Sequence, residues 1–224
     1  MPAAMIPYSL PPRDLSEQLK AADDLAREMS ARRSCRFFSD RPVPRELIER
    51  ALAIAHTSPS GANRKPWRFV AIDDPAMKRE IRIAAEAEEK KSYEHRMPQE
   101  WLEALEPLGT TWEKPFLEIA PWLIIVLRID WEEANGERRK NYYPSESTGL
   151  ACGFLLMTCH RLGLATLTHT PSPMGFLRQI CRRPENEKPY LLIPVGYPAD
   201  DCVVPNIPKY PLAARLQWNR GDET

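Results

Sequence analysis

The sequence predicts a layered α+β (α/β) fold built around one buried core. Short apolar segments rich in β-branched residues alternate along the chain with amphipathic helical segments, which is typical of such folds. The 224 residues have 43% hydrophobic content, enough for one well-buried core. No internal repeat is evident, so we expect a single domain with terminal appendages.

The N-terminal part of the chain should hold two helices and one strand. Residues 1–12 include four prolines and should form an irregular arm. Residues 13–30 have a helix-forming composition, and residues 46–56 place their apolar side chains on one stripe of a second helix. Residues 57–63 have the composition of a loop, and residues 67–72 that of a strand.

The rest of the chain continues this alternation. Asp73-Asp74-Pro75 is typical of a helix start, because Asp suits the N-cap and proline the first turn, and this helix should run to about residue 93. Prolines divide residues 94–120 into short helical pieces. We then expect a strand at 123–128, a polar loop at 131–141, a buried helix at 147–162, a strand at 164–170, a short helix at 173–181 and a strand at 191–197.

Charge and cysteine content argue against several classes of protein. Lys+Arg and Asp+Glu both number 31, so a balanced chain has no bulk attraction to nucleic acid or an anionic membrane. Five cysteines without CxxC spacing favour reduced thiols over a disulfide scaffold or a metal site. No signal peptide is visible, and the longest apolar run is too short to span a membrane. We expect a cytoplasmic protein with neither nucleic acid nor membrane as a partner.

Three separated clusters carry residue types that suit ligand binding. The segment 32–36 holds three arginines and a hydroxyl, and arginine forks suit phosphate oxygens. The segment 59–63 contains a glycine that allows close approach to a flat ligand. The segment 168–171 ends a predicted strand, where ligands bind in layered folds. Taken singly, the first is equally well explained as a solvated basic turn, and the others as an ordinary loop and a polar strand end.

In combination, these clusters resemble the nitroreductase superfamily. RRSCRFF, TSPSGANRKPWRFV, the ACGFLL helix, the TLTHTP strand end and LLIPVGYP match its pattern in order and spacing over residues 30–212. The segments EAEEKKSYEHRM, TTWEKPFLEIAPWLI, NYYPSES and VPNIPKYPL resemble iodotyrosine deiodinases in particular. The resemblance implies an FMN-binding fold with a central mixed sheet, flanking helices and a domain-swapped homodimer. Its domain would be residues 31–212, between an arm and helix at 1–30 and a tail at 213–224.

The resemblance also implies an FMN site shared between two subunits. Arg32, Arg33, Ser34 and Arg36 would bind the phosphate and the pyrimidine edge, where a cation stabilises the reduced ring. Lys209 stands where the family has an arginine, so a point charge would replace a fork on the phosphate.

The flavin ring would be contacted from both subunits. The hydroxyl beside ring nitrogen N5 is the expected catalytic group, because a hydrogen bond there supports one-electron steps, and the resemblance assigns it to Thr170. The ring contacts it implies are Thr168, His169 and Thr170 from one subunit and Pro59, Ser60 and Gly61 from the other.

The implied substrate is an aromatic amino acid held by its zwitterion. Glu89 and Tyr93 are four residues apart and share a helical face. Glu89 would accept from the ammonium, while Lys114 and Tyr93 would donate to the carboxylate, in a lid of about residues 89–116. The backbone amide of Ala62 would bind the phenolate oxygen. From composition alone, this charge-rich helix is a solvated face, and only the resemblance favours the substrate role.

The implied function is reductive dehalogenation of halotyrosines, with electrons from NAD(P)H or a partner reductase. One alternative is a general NAD(P)H-dependent nitroreductase, which would keep the FMN residues without a zwitterion clamp. Another is a flavin-binding module without catalysis. The last twenty residues begin proline-rich and end in an apolar patch, so we expect them to wrap a partner subunit.

Overall fold

Helices and strands alternate through residues 3–219, the part of the chain that a computed structural model describes. The layered α+β prediction is therefore confirmed. The helices are α1 (Leu15–Ala31), α2 (Arg45–His56), α3 (Pro75–Lys91), α4 (Gln99–Leu105), α5 (Phe116–Ile119), α6 (Pro144–Arg161) and α7 (Gly175–Ile180). The strands are β1 (Trp67–Ile72), β2 (Trp122–Ile129), β3 (Trp131–Ala134), β4 (Glu137–Lys140), β5 (Ala165–Thr166) and β6 (Glu187–Gly196).

The central sheet has the strand order β1-β2-β6-β5, and each neighbouring pair is antiparallel. The mixed character expected of the sheet is confined, in residues 3–219, to one parallel bridge between Ser34 and Thr166. β2 is buried on both faces, because alternate side chains point into two separate cores. Leu123 and Ile125 pack with α3, α5 and α7, whereas Ile124 and Val126 pack with α2 and α6. The molecule thus has helices on both sides of the sheet.

Local signals explain where the long helices begin. The Asp74 carboxylate accepts a hydrogen bond of 2.7 Å from the Met77 amide, which caps α3 as the sequence predicts. Asp14 and Glu17 form a reciprocal capping box at the start of α1. α3 ends at Lys91 and continues as one π-helical turn, Ser92–Arg96, so the regular helix is shorter than expected.

The predicted loop at 131–141 is wrong, because β3 and β4 form a hairpin there. Its turn is Asn135-Gly136, and both residues have a positive φ, 56° and 77°. Asn-Gly favours the two-residue turn whose twist matches paired strands. The polar side chains of this hairpin, in which β4 is exposed along its whole length, concealed that signal.

Two strands differ from their predicted bounds. The strand expected at 164–170 pairs regularly only at β5, and the following residues attach to β6 through a single bridge between His169 and Leu192. β6 starts at Glu187, four residues earlier than predicted. Pro189 within it lacks an amide hydrogen, and the register of β2 shifts opposite it, between Val126 and Leu127.

The helix expected to be wholly buried, now α6, leaves part of its apolar surface exposed. Leu150 is 48% exposed, and α1 has no buried residue although Leu15 and Leu19 are apolar. Residues 206–219 are also exposed and include Trp218. Residues 220–224 of the predicted tail lie outside the described part of the chain. The single chain therefore leaves apolar side chains of α1, α6 and the C-terminal segment exposed.

Within residues 3–219, no helix is long and apolar enough to cross a membrane. A cytoplasmic location and the domain limits at residues 30 and 212 stay predictions.

Candidate active site

The basic segment and the end of the β5 region lie side by side at one edge of the sheet. The Cys35 amide donates to the Thr166 carbonyl at 3.0 Å, beside the Ser34–Thr166 bridge. His169 exchanges both backbone hydrogen bonds with Leu192, at 2.9 and 3.0 Å. Backbone pairing therefore brings together two of the three clusters predicted from the sequence.

A cavity of about 380 Å³ opens between this sheet edge and the predicted lid. A second cavity of about 250 Å³ adjoins it and contains Ser34 in its wall, and the two share Arg36, Thr110, Lys114 and Phe116. Pockets of about 300 to 1,000 Å³ commonly hold small molecules and cofactors. The predicted site residues in the wall of the larger cavity are Arg36, Glu89, Tyr93, Lys114, Thr168, His169 and Thr170.

Glu89 and Lys114 form a buried ion pair in this cavity, with Lys114 Nζ 3.4 Å from Glu89 Oε2. Burial raises the pKa of Glu89, and the nearby Lys114 opposes that shift. Burial lowers the pKa of Lys114, and Glu89 opposes that shift. Each charge thus stabilises the ionised form of the other at a buried position where solvation by water is weak.

The lid residues around this pair are held by polar contacts. The Lys114 ammonium also donates to the Thr111 carbonyl, and its own amide donates to Glu86 Oε1 at 2.6 Å. The Tyr93 hydroxyl lies 2.8 Å from Thr110 Oγ1, and Lys114 Nζ lies 5.6 Å from the centre of the Tyr93 ring. The carboxylate, phenol and ammonium predicted from the sequence therefore meet in one place.

His169 contributes a buried neutral imidazole to the same cavity. Its burial, with Lys114 and Arg36 nearby, lowers its pKa to about 3. Its ring meets Phe116 edge to face at 5.7 Å, and its Nε2 has no hydrogen-bond partner in the described part of the chain. Arg36 is half-buried, and burial lowers its pKa as well. Among residues 3–219, no carboxylate forms an ion pair with Arg36, so its guanidinium is available to a ligand.

Arg32 and Arg33 face a different opening from Arg36. They line a third cavity of about 330 Å³ together with His160, and the Arg33 guanidinium donates to the Pro205 carbonyl. Lys209 Nζ donates to the carbonyls at the end of α1, those of residues 29 and 30, at 3.1 and 2.8 Å. The predicted phosphate ligands are thus adjacent in the chain but divided between two openings.

The loop of Pro59, Ser60, Gly61 and Ala62 lines none of these three cavities. Its shape is fixed within its own region: Ser60 Oγ accepts from the Lys65 amide at 2.9 Å, and Ala62 has a φ of 48°. A Cβ on Gly61 would lie 2.9 Å from the Tyr142 carbonyl oxygen, so this close approach requires glycine. One chain alone does not bring this loop to the other predicted residues.

Several wall residues of the larger cavity were missed from the sequence. They lie on or just after the π-helical turn, on α4 and α5, in the loop between these two helices and after Thr170, where the apolar pattern is too short to indicate a face. These residues are Arg96, Met97, Trp101, Leu105, Thr110, Phe116, Ser172 and Pro173.

Comparison with known proteins decides the family. A family model described as "Nitroreductase family" matches residues 29–197. The chain belongs to the nitroreductase family. It is 51% identical over 212 residues to an iodotyrosine deiodinase of Haliscomenobacter hydrossis, a match that covers 94% of this chain and 96% of the relative. It is 39% identical to iodotyrosine deiodinase 1 of Homo sapiens, covering 92% of this chain and 72% of the relative. The resemblance predicted from the sequence is confirmed.

Solved structures of the family share this architecture. A crystal structure of oxidized iodotyrosine deiodinase bound to FMN and 3-iodo-L-tyrosine matches with a TM-score of 0.70 and 32% identity, over 90% of this chain and 98% of that one. A nitroreductase with bound FMN from Bacteroides fragilis matches with a TM-score of 0.65 over 88% and 99% of the two chains. At 19% identity, the second match shows the fold alone.

Proposed function

We propose that this protein is an FMN-dependent reductive dehalogenase of halotyrosines, which releases halide and tyrosine. The observation that carries the proposal is the buried Glu89–Lys114 pair, with Tyr93 beside it, in the cavity that also holds Arg36 and Thr170. The similarity to iodotyrosine deiodinases over most of the chain supports the same substrate class.

The residues present suit FMN. Arg36 offers a half-buried cation without a carboxylate partner in the described chain, as an anionic ring edge requires. Ser34 would hold the phosphate from the wall of the second cavity. Arg32 and Arg33 face the other opening, and Arg33 and Lys209 donate to backbone carbonyls in the single chain, so these three would have to turn to reach it. Thr168, His169 and Thr170 would line the ring. When bound, FMN supplies the electrons for cleavage of the carbon–halogen bond, and NAD(P)H or a partner reductase would replenish them.

The ion pair suits a zwitterionic ligand, since an ammonium and a carboxylate would together satisfy both of its members. Glu89 would accept from the ligand's ammonium, Lys114 would donate to its carboxylate, and Tyr93 would donate to that carboxylate or pack on the ring. A phenol without the amino-acid part would replace neither contact. Glu89 and Lys114 then stay paired with each other, so such a phenol gains no charged contact and binds less well than the amino acid.

The remaining roles fall to groups around the reacting ring. Closure of residues 89–116 over the ligand would exclude water, which strengthens each charged contact. The Thr170 hydroxyl would donate to ring nitrogen N5 as the catalytic group. His169 stays neutral at physiological pH, so it adds no third positive charge beside Arg36 and Lys114. The Ala62 amide would bind the phenolate oxygen from the neighbouring subunit.

The shared site requires a homodimer. Two observations support it: α1, α6 and the C-terminal segment leave apolar side chains open, and the loop 59–62 does not reach the cavities of its own chain. A dimer measured by light scattering, which keeps one FMN per chain, is expected. A mixing experiment tests the sharing, with an Arg36→Ala chain and a Pro59→Trp chain, the latter changed at an exposed position of its own chain. Unfolded and refolded together, the two chains should recover about a quarter of wild-type sites, since half the dimers are mixed and each mixed dimer has one intact site. No recovery would contradict a site built from two chains.

Iodide release tests the activity. The FMN-loaded, dithionite-reduced protein should release iodide from 3-iodotyrosine and much less from 2-iodophenol. Each lost charge-assisted hydrogen bond is worth about 1.5–3 kcal/mol, so Glu89→Gln or Lys114→Met should lower kcat/KM about 10- to 150-fold. Glu94→Gln is the matched control, because this exposed carboxylate lies on the π-helical turn that follows α3 and outside the cavity wall.

Three outcomes would sink the proposal or part of it. Unchanged iodide release by Glu89→Gln and Lys114→Met would show that these two residues do not bind the zwitterion. Rapid reduction of nitroaromatics without iodide release would favour a general nitroreductase. A yellow protein that performs neither reaction would be a flavin-binding module.

A further inference from the structure

Two thiols that are far apart in the sequence lie in contact beside the basic segment. Cys35 Sγ and Cys202 Sγ are 3.6 Å apart, although 167 residues separate them in the chain. Cys35 is buried, and its Sγ also lies 3.1 Å from the Phe37 carbonyl oxygen, whereas Cys202 is half-buried. The other three cysteines are free as well, and two of them are buried inside α6.

The backbone on both sides of this thiol pair is fixed by hydrogen bonds. The Cys35 amide donates to Thr166 and the Cys202 amide to Ala199, each at 3.0 Å. Ala199 in turn donates to the Phe37 carbonyl, also at 3.0 Å, so the two segments are joined directly. A disulfide has an S–S distance of about 2.05 Å, so the sulfurs must approach by about 1.5 Å for the bond to form.

Solvent and small oxidants have a route to the pair. The cavity of about 330 Å³ next to the basic segment contains both cysteines in its wall, together with Arg32, Arg33 and His160. A redox-active pair needs two thiols in reach of each other and one in reach of the oxidant, and this cavity provides both.

We propose that Cys35 and Cys202 are a redox-active pair that a hydroperoxide converts to a reversible intramolecular disulfide. The Cys202 thiolate attacks the terminal oxygen of the hydroperoxide, the O–O bond breaks, and the alcohol or water leaves with the proton. The Cys35 thiol then attacks the Cys202 sulfenic acid, the S–S bond forms, and water leaves with the Cys35 proton. Two thiols lose two electrons, and the hydroperoxide gains them.

The order of attack follows from the two environments. Burial raises the pKa of Cys35 to about 12, which disfavours its thiolate, so the more exposed Cys202 reacts with the oxidant first. Cys35 then acts on a sulfur already held against it. The cross-link would fasten the chain after residue 202 to the basic segment, next to the contact between Arg33 and the Pro205 carbonyl.

Peptide mapping of the peroxide-treated protein tests the proposal. The purified full-length protein, first reduced with dithiothreitol and then desalted, is exposed to hydrogen peroxide and alkylated without reduction. We expect the peptides of Cys35 and Cys202 to be joined, with the loss of two hydrogens, while Cys152, Cys159 and Cys181 remain alkylated. Dithiothreitol should restore five free thiols. Hydrogen exchange of residues 203–209 should slow in the oxidised protein.

Variants distinguish the pair from accidental oxidation. Cys202→Ser changes a half-buried position, so the core stays intact, and it should abolish the cross-link. Cys35→Ala should leave Cys202 as a sulfenic acid that dimedone labels, and Cys181→Ser should behave as the wild type. Five alkylated thiols after peroxide treatment, a cross-link between two chains, or a Cys202 that proceeds to sulfinic acid in the wild type would each overturn the proposal.

Discussion

Replacing Lys114 with methionine removes one member of the buried ion pair and leaves the other without a partner. Methionine keeps the length of the side chain but not its charge. Glu89 is buried, and burial already raises its pKa against the influence of Lys114, so the loss of Lys114 raises that pKa further. Removing one partner of a buried pair costs about 3–5 kcal/mol when the other stays charged.

The pH dependence of this loss follows from the protonation of the remaining partner. In Lys114→Met, Glu89 has a higher pKa in the folded than in the unfolded chain, so the folded state binds the proton more tightly. The free energy of unfolding is then retained at low pH and falls as pH rises through the raised pKa. Glu89→Gln gives the opposite sign, because burial lowers the pKa of the unpaired Lys114 and stability falls as pH falls through that value.

Urea denaturation at about pH 5 and about pH 9, with excess FMN held constant, measures both effects. Relative to the wild type, Lys114→Met should lose more stability at the higher pH and Glu89→Gln more at the lower. The double variant should lose less than the sum of the singles, since it leaves no lone charge. Lys91→Met, which breaks an exposed pair with Glu88, should cost less than about 1 kcal/mol at either pH. Equal losses at both pH values, or additive losses in the double variant, would refute the reasoning.

Further predictions concern stability away from this pair. The pKa of about 3 for His169 makes the wild-type protein lose about 3 kcal/mol of its free energy of unfolding as pH falls from about 6.5 to about 4. His169→Gln should therefore lose less over this range. The same pH dependence of the free energy of unfolding in both proteins, measured by urea denaturation, would contradict this. Gly196→Ala places a Cβ 2.6 Å from Pro121 Cδ and should cost about 1–3 kcal/mol in the same assay, whereas Gly175→Ala, with open space, should cost little. Gly136→Ala, at a φ of 77°, should cost about 1 kcal/mol in the hairpin turn, and an unchanged urea midpoint would argue against that turn.

The fold was predictable where one sequence pattern determines one element. The Asp74-Pro75 start of α3 and the apolar run of β2 were interpreted correctly. The hairpin of β3 and β4 was not, although Asn135-Gly136 carried the necessary signal, because β4 is polar on both faces and β3 is too short to show an alternating pattern. The hydrophobic pattern predicts an element when one of its faces is buried, and this hairpin buries little apolar side-chain surface.

The site was predictable only in part, because its residues depend on pairing between distant segments. The basic segment reaches the sheet edge through the Ser34–Thr166 bridge, and no local pattern shows which strand it will join. Resemblance indicated those residues, whereas α4 and Trp101, which complete the cavity wall, carried no signal strong enough to place them. The division of the arginines between two openings likewise needed coordinates.

α3 shows that the burial of a charge can be predicted from sequence, whereas its role cannot. Its buried residues, Lys78, Ile81, Ala85 and Glu89, follow one stripe of the helix, so a charged residue at each end continues an apolar face. The burial of both charges was therefore predictable, and the interpretation of this helix as a solvated face is wrong for these two residues. Lys78 donates to the Ala120 carbonyl at 2.9 Å and lies outside the cavity wall, so its role is structural. Glu89 instead meets Lys114, from a segment that helical spacing does not position, and that meeting converts a buried carboxylate into half of a ligand clamp.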